Sequence, residues 1–507
     1  MRKTIALAAL ALCGSAFAAA DAEWNFDRPH WVPMPFECQV TSNVCVRLDD
    51  AQTVRVRCPE TGAADWVRGK TKEMLNVSPK VAADAVAHQP EIPGGPEAYR
   101  VTADESGITL SANTLAGVRW AFYTLRQALI PERGVVEFKS WILPKMEVTD
   151  APKLKFRGIH VCWFPETKAW EIERAIRVAA YYKLNYMVVE DWGVFESKRH
   201  PWMSWPNPPM TQKELKRLVA LGKDLGVTLV PQINAFGHAS QSRRGVDKHA
   251  VLDLNPQYAA LFEPHGGWVW CLTSEAARNV LKDMVAELHE AFGNPPYFHL
   301  GCDESDEPSC PKCRASDWTA TVGAHLRDMR DFLAARGARM MVWHDMFVGM
   351  NDPRFAKRNR KSFYANGGAE AERLLDLLPK DVIVCDWWYD GKSPDGTHLT
   401  MDHFRAKGHD VVPCPWDNWE GGLDLGDYAV KHNLFGVLGT TWHRMYRGGI
   451  RIEFLVAAFA SWGAKDPEQW SDFGSHLRDI VHDMKVTDPR QTGYAHEQMP
   501  STTTSAW

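Results

Sequence analysis

The chain has 507 residues, 45% of them hydrophobic and 24% charged, with a formal net charge of −5. That length predicts roughly two to four domains of ordinary globular composition. The small negative charge gives no electrostatic case for nucleic acid or an anionic membrane surface as partner. The 22 Trp exceed ordinary usage. Buried, they build cores; exposed in a cleft, they form flat platforms for ligands such as sugar rings.

The first 20 residues read as a secretory signal. Arg2 and Lys3 form a basic start, Thr4 to Leu12 an apolar stretch, and SAFAAA offers cleavage after Ala18 or Ala20. The expected location is therefore secreted or periplasmic. A lipid anchor at Cys13 ranks second, because Leu12 stands where a small residue would be expected. No later run of 18 apolar residues exists, so no membrane span is expected. Of eleven cysteines, Cys38 and Cys45 flank a short stretch and could pair. Cys310 and Cys313 form a C-x-x-C. Zinc would need two more ligands, and no second C-x-x-C or close His pair supplies them, so no metal or other cofactor is expected. Several other cysteines lie in apolar strands as buried thiols.

Residues 34–150 form a small α+β domain. CVRL, TVRVRC, AYRVTA, GITLSA and GVVEFKSWIL read as strands. TLAGVRWAFYTLRQALI places Val118, Ala121, Phe122, Leu125 and Leu129 at helical spacing. From residue 151 to 487, short apolar strands alternate with amphipathic helices. The strands are LKFRGIHVCW, NYMVVEDW, VTLVPQINAFGH, YFHLGCDE, ARMMVWHDMF, DVIVCDWW, DVVPCPWD and FGVLGTTW. Five helices between them are WEIERAIRVAAYYK, QKELKRLVALGKDLG, ARNVLKDMVAELHEAF, TVGAHLRDMRDFLAARG and AEAERLLDLLP. Eight strand–helix units in about 300 residues predict a (β/α)8 TIM barrel, so the fold class is α/β. Residues 488–507 are a polar tail rich in Thr and Ser.

In such barrels the C-terminal ends of the strands carry the active site. The fourth strand runs into FHLGCDESDEPSC, where Asp303, Glu304, Asp306 and Glu307 crowd together. Like charges this close resist ionising together, so at least one pKa should rise, as a general acid at neutral pH requires. A solvated acidic loop is the plain alternative. Polar residues recur at the same ends of other strands: Glu190, Asp191, Asn234, His238, His344, Asp345, Asp386, Asp390, Asp417, His443 and Arg444. Trp163, Trp192, Trp343, Trp387, Trp388, Trp416 and Trp442 accompany them. This repetition around the ring predicts a polar pocket with aromatic walls.

His299-Leu300-Gly301-Cys302-Asp303-Glu304 resembles the H-x-G-G-D-E motif of family 20 glycoside hydrolases, the β-N-acetylhexosaminidases. Residues 96–129 resemble the small domain that precedes the barrel in that family. KFRGIHV, YYKLNYMVVE and VPQINAFGHAS resemble its R-G, K-x-N and P-E-x-D-x-P-G-H segments. The resemblance covers roughly residues 95–445 and rests on the order of several short, degenerate motifs. It departs from the pattern at Cys302, at Gln232 and Asn234, at Cys162 and Pro165, and at Arg444.

The resemblance implies a carbohydrate substrate and a substrate-assisted reaction, with the 2-acetamido oxygen as nucleophile. Glu304 would then be the general acid and base, and Asp303 would orient the acetamido group. Arg157 would sit at a sugar-binding position and His238 near the pocket. Tyr389 would donate to the acetamido carbonyl, with Trp343, Trp387 and Trp442 as pocket walls and Asp345 as a further substrate contact. Adjacent strand residues point to opposite faces, so Asp303 and Glu304 share a substrate only if the backbone turns there. Arg444 stands where the family usually has an acid, and a guanidinium suits an anionic group on the sugar or a neighbouring acid. Two other readings are a two-carboxylate glycosidase pairing Glu304 with Asp345 or Glu190, and a non-catalytic glycan-binding barrel.

Overall fold

The computed structural model describes residues 29, 31–84, 91–133, 138–240, 251–264, 266–356, 365–393, 395–442 and 452–463. The expected signal, the polar tail, His443 and Arg444 lie outside them. Seven strands form the first sheet: β1 (Glu37–Leu48), β2 (Thr53–Arg57), β3 (Lys80–Ala83), β4 (Tyr99–Asp104), β5 (Gly107–Ala112), β6 (Ile130–Arg133) and β7 (Phe138–Asp150). Their order is β1-β7-β4-β5-β2-β3, with β6 also on β7. The helix Leu115–Ala128 buries Val118, Ala121, Phe122 and Leu125, the predicted stripe. Its start is capped by the Thr114 side chain, which accepts from the Gly117 N–H. Cys38 and Cys45 both lie on β1, opposite Val148 and Pro144 of β7, and are not joined to each other by a disulfide.

Eight parallel strands follow: β8 (Phe156–Trp163), β9 (Tyr186–Asp191), β10 (Thr228–Gln232), β11 (Tyr297–His299), β12 (Arg339–Trp343), β13 (Ile383–Trp387), β14 (Asp410–Cys414) and β15 (Gly436–Gly439). They run in chain order from β8 to β14, and β15 returns to pair with β8. At the remaining seam, past the strand ends, the Thr440 N–H and hydroxyl both donate to the Pro415 carbonyl, at 2.8 and 3.0 Å. Each predicted barrel strand is present. They read as apolar runs because helices cover them outside and side chains fill them inside; all eight residues of β8 are buried. The predicted fourth strand stops early, at His299, so its acids sit on the loop beyond.

Four barrel helices begin at Thr211, Ser274, Asp317 and Asn418, whose side chains each accept from the backbone N–H three residues on. Each cap stabilises its helix by about 1 kcal/mol. The barrel floor is aromatic. Phe156 stacks on Tyr186 with centroids 4.5 Å apart, and Tyr297 and Phe435 close around them. Trp343 and Trp387 fill the opposite end of the same interior cluster. Helices that escaped the sequence reading include Ala63–Lys70 of the first domain and, in the barrel, Leu399–Ala406, Trp419–Lys431 and Ile452–Trp462. The last is buried from Glu453 to Trp462 and apolar apart from Glu453 and Ser461, so it lacks the two-faced pattern that marks a surface helix. Among the described residues no helix is long and apolar enough to cross a membrane.

The two sheets are joined below the barrel floor by buried charge. Arg157, at the N-terminal end of β8, is fully buried. Its guanidinium pairs with Glu97 of the first domain at 2.5 Å and donates to the Lys183 and Leu154 carbonyls. It lies over the rings of Trp120 and Trp462. Beside it, the Lys183 ammonium donates to Tyr99 Oη at 2.7 Å, and Asp150 accepts from Tyr99 and from the Trp462 indole. Burial lowers the Lys183 pKa to about 8, although Asp150 opposes the shift. The sugar-binding role expected for Arg157 is therefore corrected. The residue sits at the end of the strand opposite the acids, and its donors are committed to the domain junction.

Breaking a buried pair leaves one charge uncompensated. Glu97→Gln should destabilise the protein by about 3 kcal/mol, read as a lower denaturation midpoint with both domains melting together. An unchanged midpoint would remove Arg157 from this structural role.

Candidate active site

The site is built by the turn after β11. Gly301, Cys302 and Glu304 all adopt left-handed backbone, with φ of 64°, 75° and 44°. Such geometry costs a non-glycine residue roughly 1–2 kcal/mol, so neighbours must hold it. The Glu304 N–H donates to Asp345 Oδ2 at 2.9 Å, and the Trp268 indole donates to the Glu304 carbonyl at 2.7 Å. The Gly301 N–H donates to His299 Nδ1 at 3.0 Å. Gly301 admits no side chain, since a Cβ there would stand 1.9 Å from Asn234 Oδ1. Gly237 is equally constrained, its Cβ position being 2.3 Å from the Asp303 carbonyl.

This turn breaks the strand alternation and brings both acids to one histidine. His238 Nε2 lies 3.4 Å from Asp303 Oδ2 and 3.5 Å from Glu304 Oε2. The carboxylates differ in access: the Asp303 side chain is 10% exposed and that of Glu304 37%. Burial disfavours the His238 charge, but Asp303 and Glu304 outweigh it and raise the pKa to about 10. Asp303 is itself raised above the ordinary carboxyl range. Burial is the main cause, His238 opposes it, and the nearby charges of Glu304 and Glu190 add to it. The rise expected from crowded acids is thus present on Asp303, with desolvation ahead of like-charge repulsion.

Asp345 is fully buried. Its Oδ2 accepts from the Glu304 N–H and from Asn366 Nδ2 at 2.9 Å each. Burial first, then Asp303, push its pKa well up. It fixes the backbone of Glu304 and is not open to a ligand, which corrects its expected contact with substrate. Glu190 is likewise engaged, accepting from Asn234 Nδ2 at 2.9 Å and pairing with His160 Nε2 at 3.1 Å. Burial opposes its charge, yet His160 and Asn234 prevail and lower its pKa to about 2. Asp191 accepts the N–H groups of Val194 and Phe195 and shapes its own loop.

The structure does bring Trp343, Trp387, Trp442 and Tyr389 together. Ring centroids lie 6.4 Å apart for Trp343–Trp387, 5.4 Å for Trp343–Trp442 and 6.3 Å for Trp387–Trp442. The Trp442 indole donates to Tyr389 Oη at 2.7 Å, and the Tyr389 ring stacks on Trp387. Trp343 is fully buried, whereas Trp442 and Tyr389 are partly buried. His160 was missed by the sequence reading. It packs 4.7 Å from Trp442 and 5.5 Å from Trp343. A signal existed: His160 and Cys162 share strand parity with the interior residue Phe156, so polar groups point into the barrel.

Comparison with known proteins agrees with this architecture. Residues 151–444 match the glycosyl hydrolase family 20 catalytic domain, and residues 29–151 match domain 2 of the same family. The chain therefore belongs to glycosyl hydrolase family 20. It is 25% identical to a β-hexosaminidase of Porphyromonas gingivalis over 74% of this chain and 51% of that protein. It is 28% identical to a β-hexosaminidase subunit β of Entamoeba histolytica, over 68% of this chain and 64% of that one. The chain thus spans between half and two thirds of these relatives' length. The fold matches an exo-β-N-acetylglucosaminidase from Vibrio harveyi with a TM-score of 0.68 and 17% identity, over 91% of this chain and 78% of that one. It also matches a β-N-acetylhexosaminidase from Bacteroides fragilis, with a TM-score of 0.65 and 18% identity, over 90% and 95%.

The raised pKa of His238 has a thermodynamic consequence. A base whose folded pKa exceeds its unfolded value stabilises fully below the unfolded pKa and loses that contribution as pH rises through the folded one. For His238 the window runs from about 6.5 to about 10. The stability advantage of wild type over His238→Gln should therefore be fully present at about pH 6.5 and shrink as pH rises towards 10. Thermal melts of both proteins across that range test this, and a constant difference would contradict the bridge between the acids.

Proposed function

We propose that the chain hydrolyses terminal β-linked N-acetylhexosamine from a glycan by a substrate-assisted, retaining mechanism. The observation that carries this reading is the turn at Gly301–Glu304, which gathers Asp303 and Glu304 around His238. The more exposed carboxyl, Glu304, donates a proton to the leaving glycosidic oxygen as the C1–O bond breaks. The acetamido carbonyl oxygen of the substrate attacks C1 from the other face and closes an oxazolinium ring. Buried Asp303 accepts the acetamido N–H and balances its growing positive charge. Glu304 then takes a proton from water, which attacks C1 as the oxazolinium C1–O bond breaks; this returns the acetamido group and restores the original configuration. Tyr389 donates to the acetamido carbonyl, and Trp387 and Trp442 wall the methyl group and sugar ring, with fully buried Trp343 packed behind them.

The state of the other carboxylates supports a nucleophile that arrives with the substrate. A two-carboxylate mechanism needs a second acid open to C1. Asp345 is buried and holds the Glu304 backbone, and Glu190 is held by His160 and Asn234.

Glu304→Gln should lose about 10²–10⁴ in rate on a glycoside with a poor leaving group. The loss should be smaller on a 4-nitrophenyl N-acetylglucosaminide, whose leaving group needs less proton assistance. Equal activity of the variant and wild type on the poor leaving group would remove Glu304 from the role.

Asp303→Asn should damage acetamido substrates in particular, and a thiazoline mimic of the oxazoline should inhibit wild type. Rates on 4-nitrophenyl N-acetylglucosaminide, glucoside and galactoside decide the sugar. Turnover of the plain glycosides alone, with no binding of the thiazoline, would overturn the substrate-assisted reading.

A further inference from the structure

The C-x-x-C of Cys310 and Cys313 lies on the loop that leaves the acids, and it was short of two ligands in sequence. The fold supplies two. A turn between β10 and β11 brings Glu263 and Cys271 to the same place: Glu263 N–H donates to the Val269 carbonyl, and Phe262 bridges Trp270. One carboxylate oxygen of Glu263 and the sulfurs of Cys271, Cys310 and Cys313 all lie within 4.8 Å of one another. Cys271 Sγ is 3.9 Å from Cys310 Sγ and 3.9 Å from Cys313 Sγ. A disulfide needs about 2.05 Å. A tetrahedral zinc with Zn–S bonds of about 2.3 Å sets its sulfurs about 3.8 Å apart.

The surrounding hydrogen bonds orient the donors. Glu263 Oε2 accepts from the Ser309 and Cys310 N–H groups at 2.7 and 2.6 Å. Its Oε1 is buried with no hydrogen-bond partner, although the residue is only 2% exposed. An unpaired buried carboxylate oxygen is costly and needs a partner. The Cys313 N–H donates to Cys310 Sγ at 3.3 Å, and Thr273 Oγ1 lies 3.2 Å from Cys313 Sγ. Such contacts are those that steady thiolate ligands around a metal.

We propose that Glu263, Cys271, Cys310 and Cys313 bind one structural zinc ion. Three thiolates and a carboxylate complete a closed tetrahedron with no open position, so the ion takes no part in the reaction. Binding releases the thiol protons as the sulfurs become thiolates. The role is to brace the loop. Zinc pins Cys310, six residues after Glu304, to the turn that carries Trp268. Trp268 in turn holds the Glu304 carbonyl and packs 4.2 Å from His238. The expectation of no metal came from counting local ligands, and the missing two are 39 and 47 residues upstream of Cys310.

Elemental analysis of the full chain, purified under reducing conditions with zinc supplied, should find one zinc per chain. The double variant Cys310→Ser/Cys313→Ser should lose it, and Cys58→Ser, in the first domain, should keep it. Should the double variant fail to fold, cobalt-substituted wild type gives an independent reading. It should display thiolate-to-cobalt charge-transfer bands and the visible bands of tetrahedral cobalt. Alkylation followed by peptide mass analysis should find Cys271, Cys310 and Cys313 protected until a chelator is added. Folded wild type without zinc, or a disulfide among these three cysteines, would overturn the site.

Discussion

The reversal of the backbone at Gly301–Glu304 is the constraint on which the site depends. A strand continued through Asp303 would point the two acids to opposite faces. Left-handed backbone at three of four positions turns both toward His238. That conformation stores strain, and the surroundings offset it from several sides. Asn234 closes against Gly301 from β10's end, Asp345 receives the Glu304 N–H from β12's end, and Trp268 clamps the Glu304 carbonyl. Two neighbouring strand ends and the long β10–β11 connection thus converge on one peptide turn. Strain of this kind persists where the surrounding structure over-determines it.

Much of the fold was readable because burial writes itself locally. Parallel strands covered on both faces are short apolar runs, and five of the barrel helices have one apolar stripe. The helix Ile452–Trp462 was not readable for the opposite reason, being buried on all sides. The acids of the site were legible from crowding and from their place after a strand. Their partners were less so, since side-chain roles depend on which end of a strand a residue occupies. Arg157 and Lys183 sit in segments that match the family, yet both serve the domain junction below the barrel. Asp345 sits at the correct end but points its carboxylate at a backbone N–H. The cysteine cluster is distant in sequence and gathers only after the loops fold.

The polar interior near the pocket is an exchange of partners. Acids are expected from the family pattern at Gln232 and Asn234, and at Cys162, and all three are neutral here. Charge returns elsewhere: Glu190 on β9 pairs with His160 on β8, and Asn234 and the Cys162 thiol donate to the same carboxylate. A buried carboxylate is tolerable only with such donors around it. The exchange also keeps Glu190 ionised, and its negative charge contributes to the raised pKa of Asp303.

The two acids around His238 differ in exposure more than in distance. Both lie about equally far from Nε2, but Asp303 is 10% exposed and Glu304 37%. A charge in low dielectric acts strongly on nearby dipoles, and one in contact with water is screened. Asp303, kept from water and steadied by the imidazolium, is therefore suited to hold and polarise a bound polar group. Glu304, at 37% exposure, stays open to exchange of its proton with solvent. Burial thus sets the two members of one adjacent pair in different environments. The tryptophans sharpen the division, since Trp343, Trp387 and Trp442 pack ring against ring in the barrel interior and leave little room there for water.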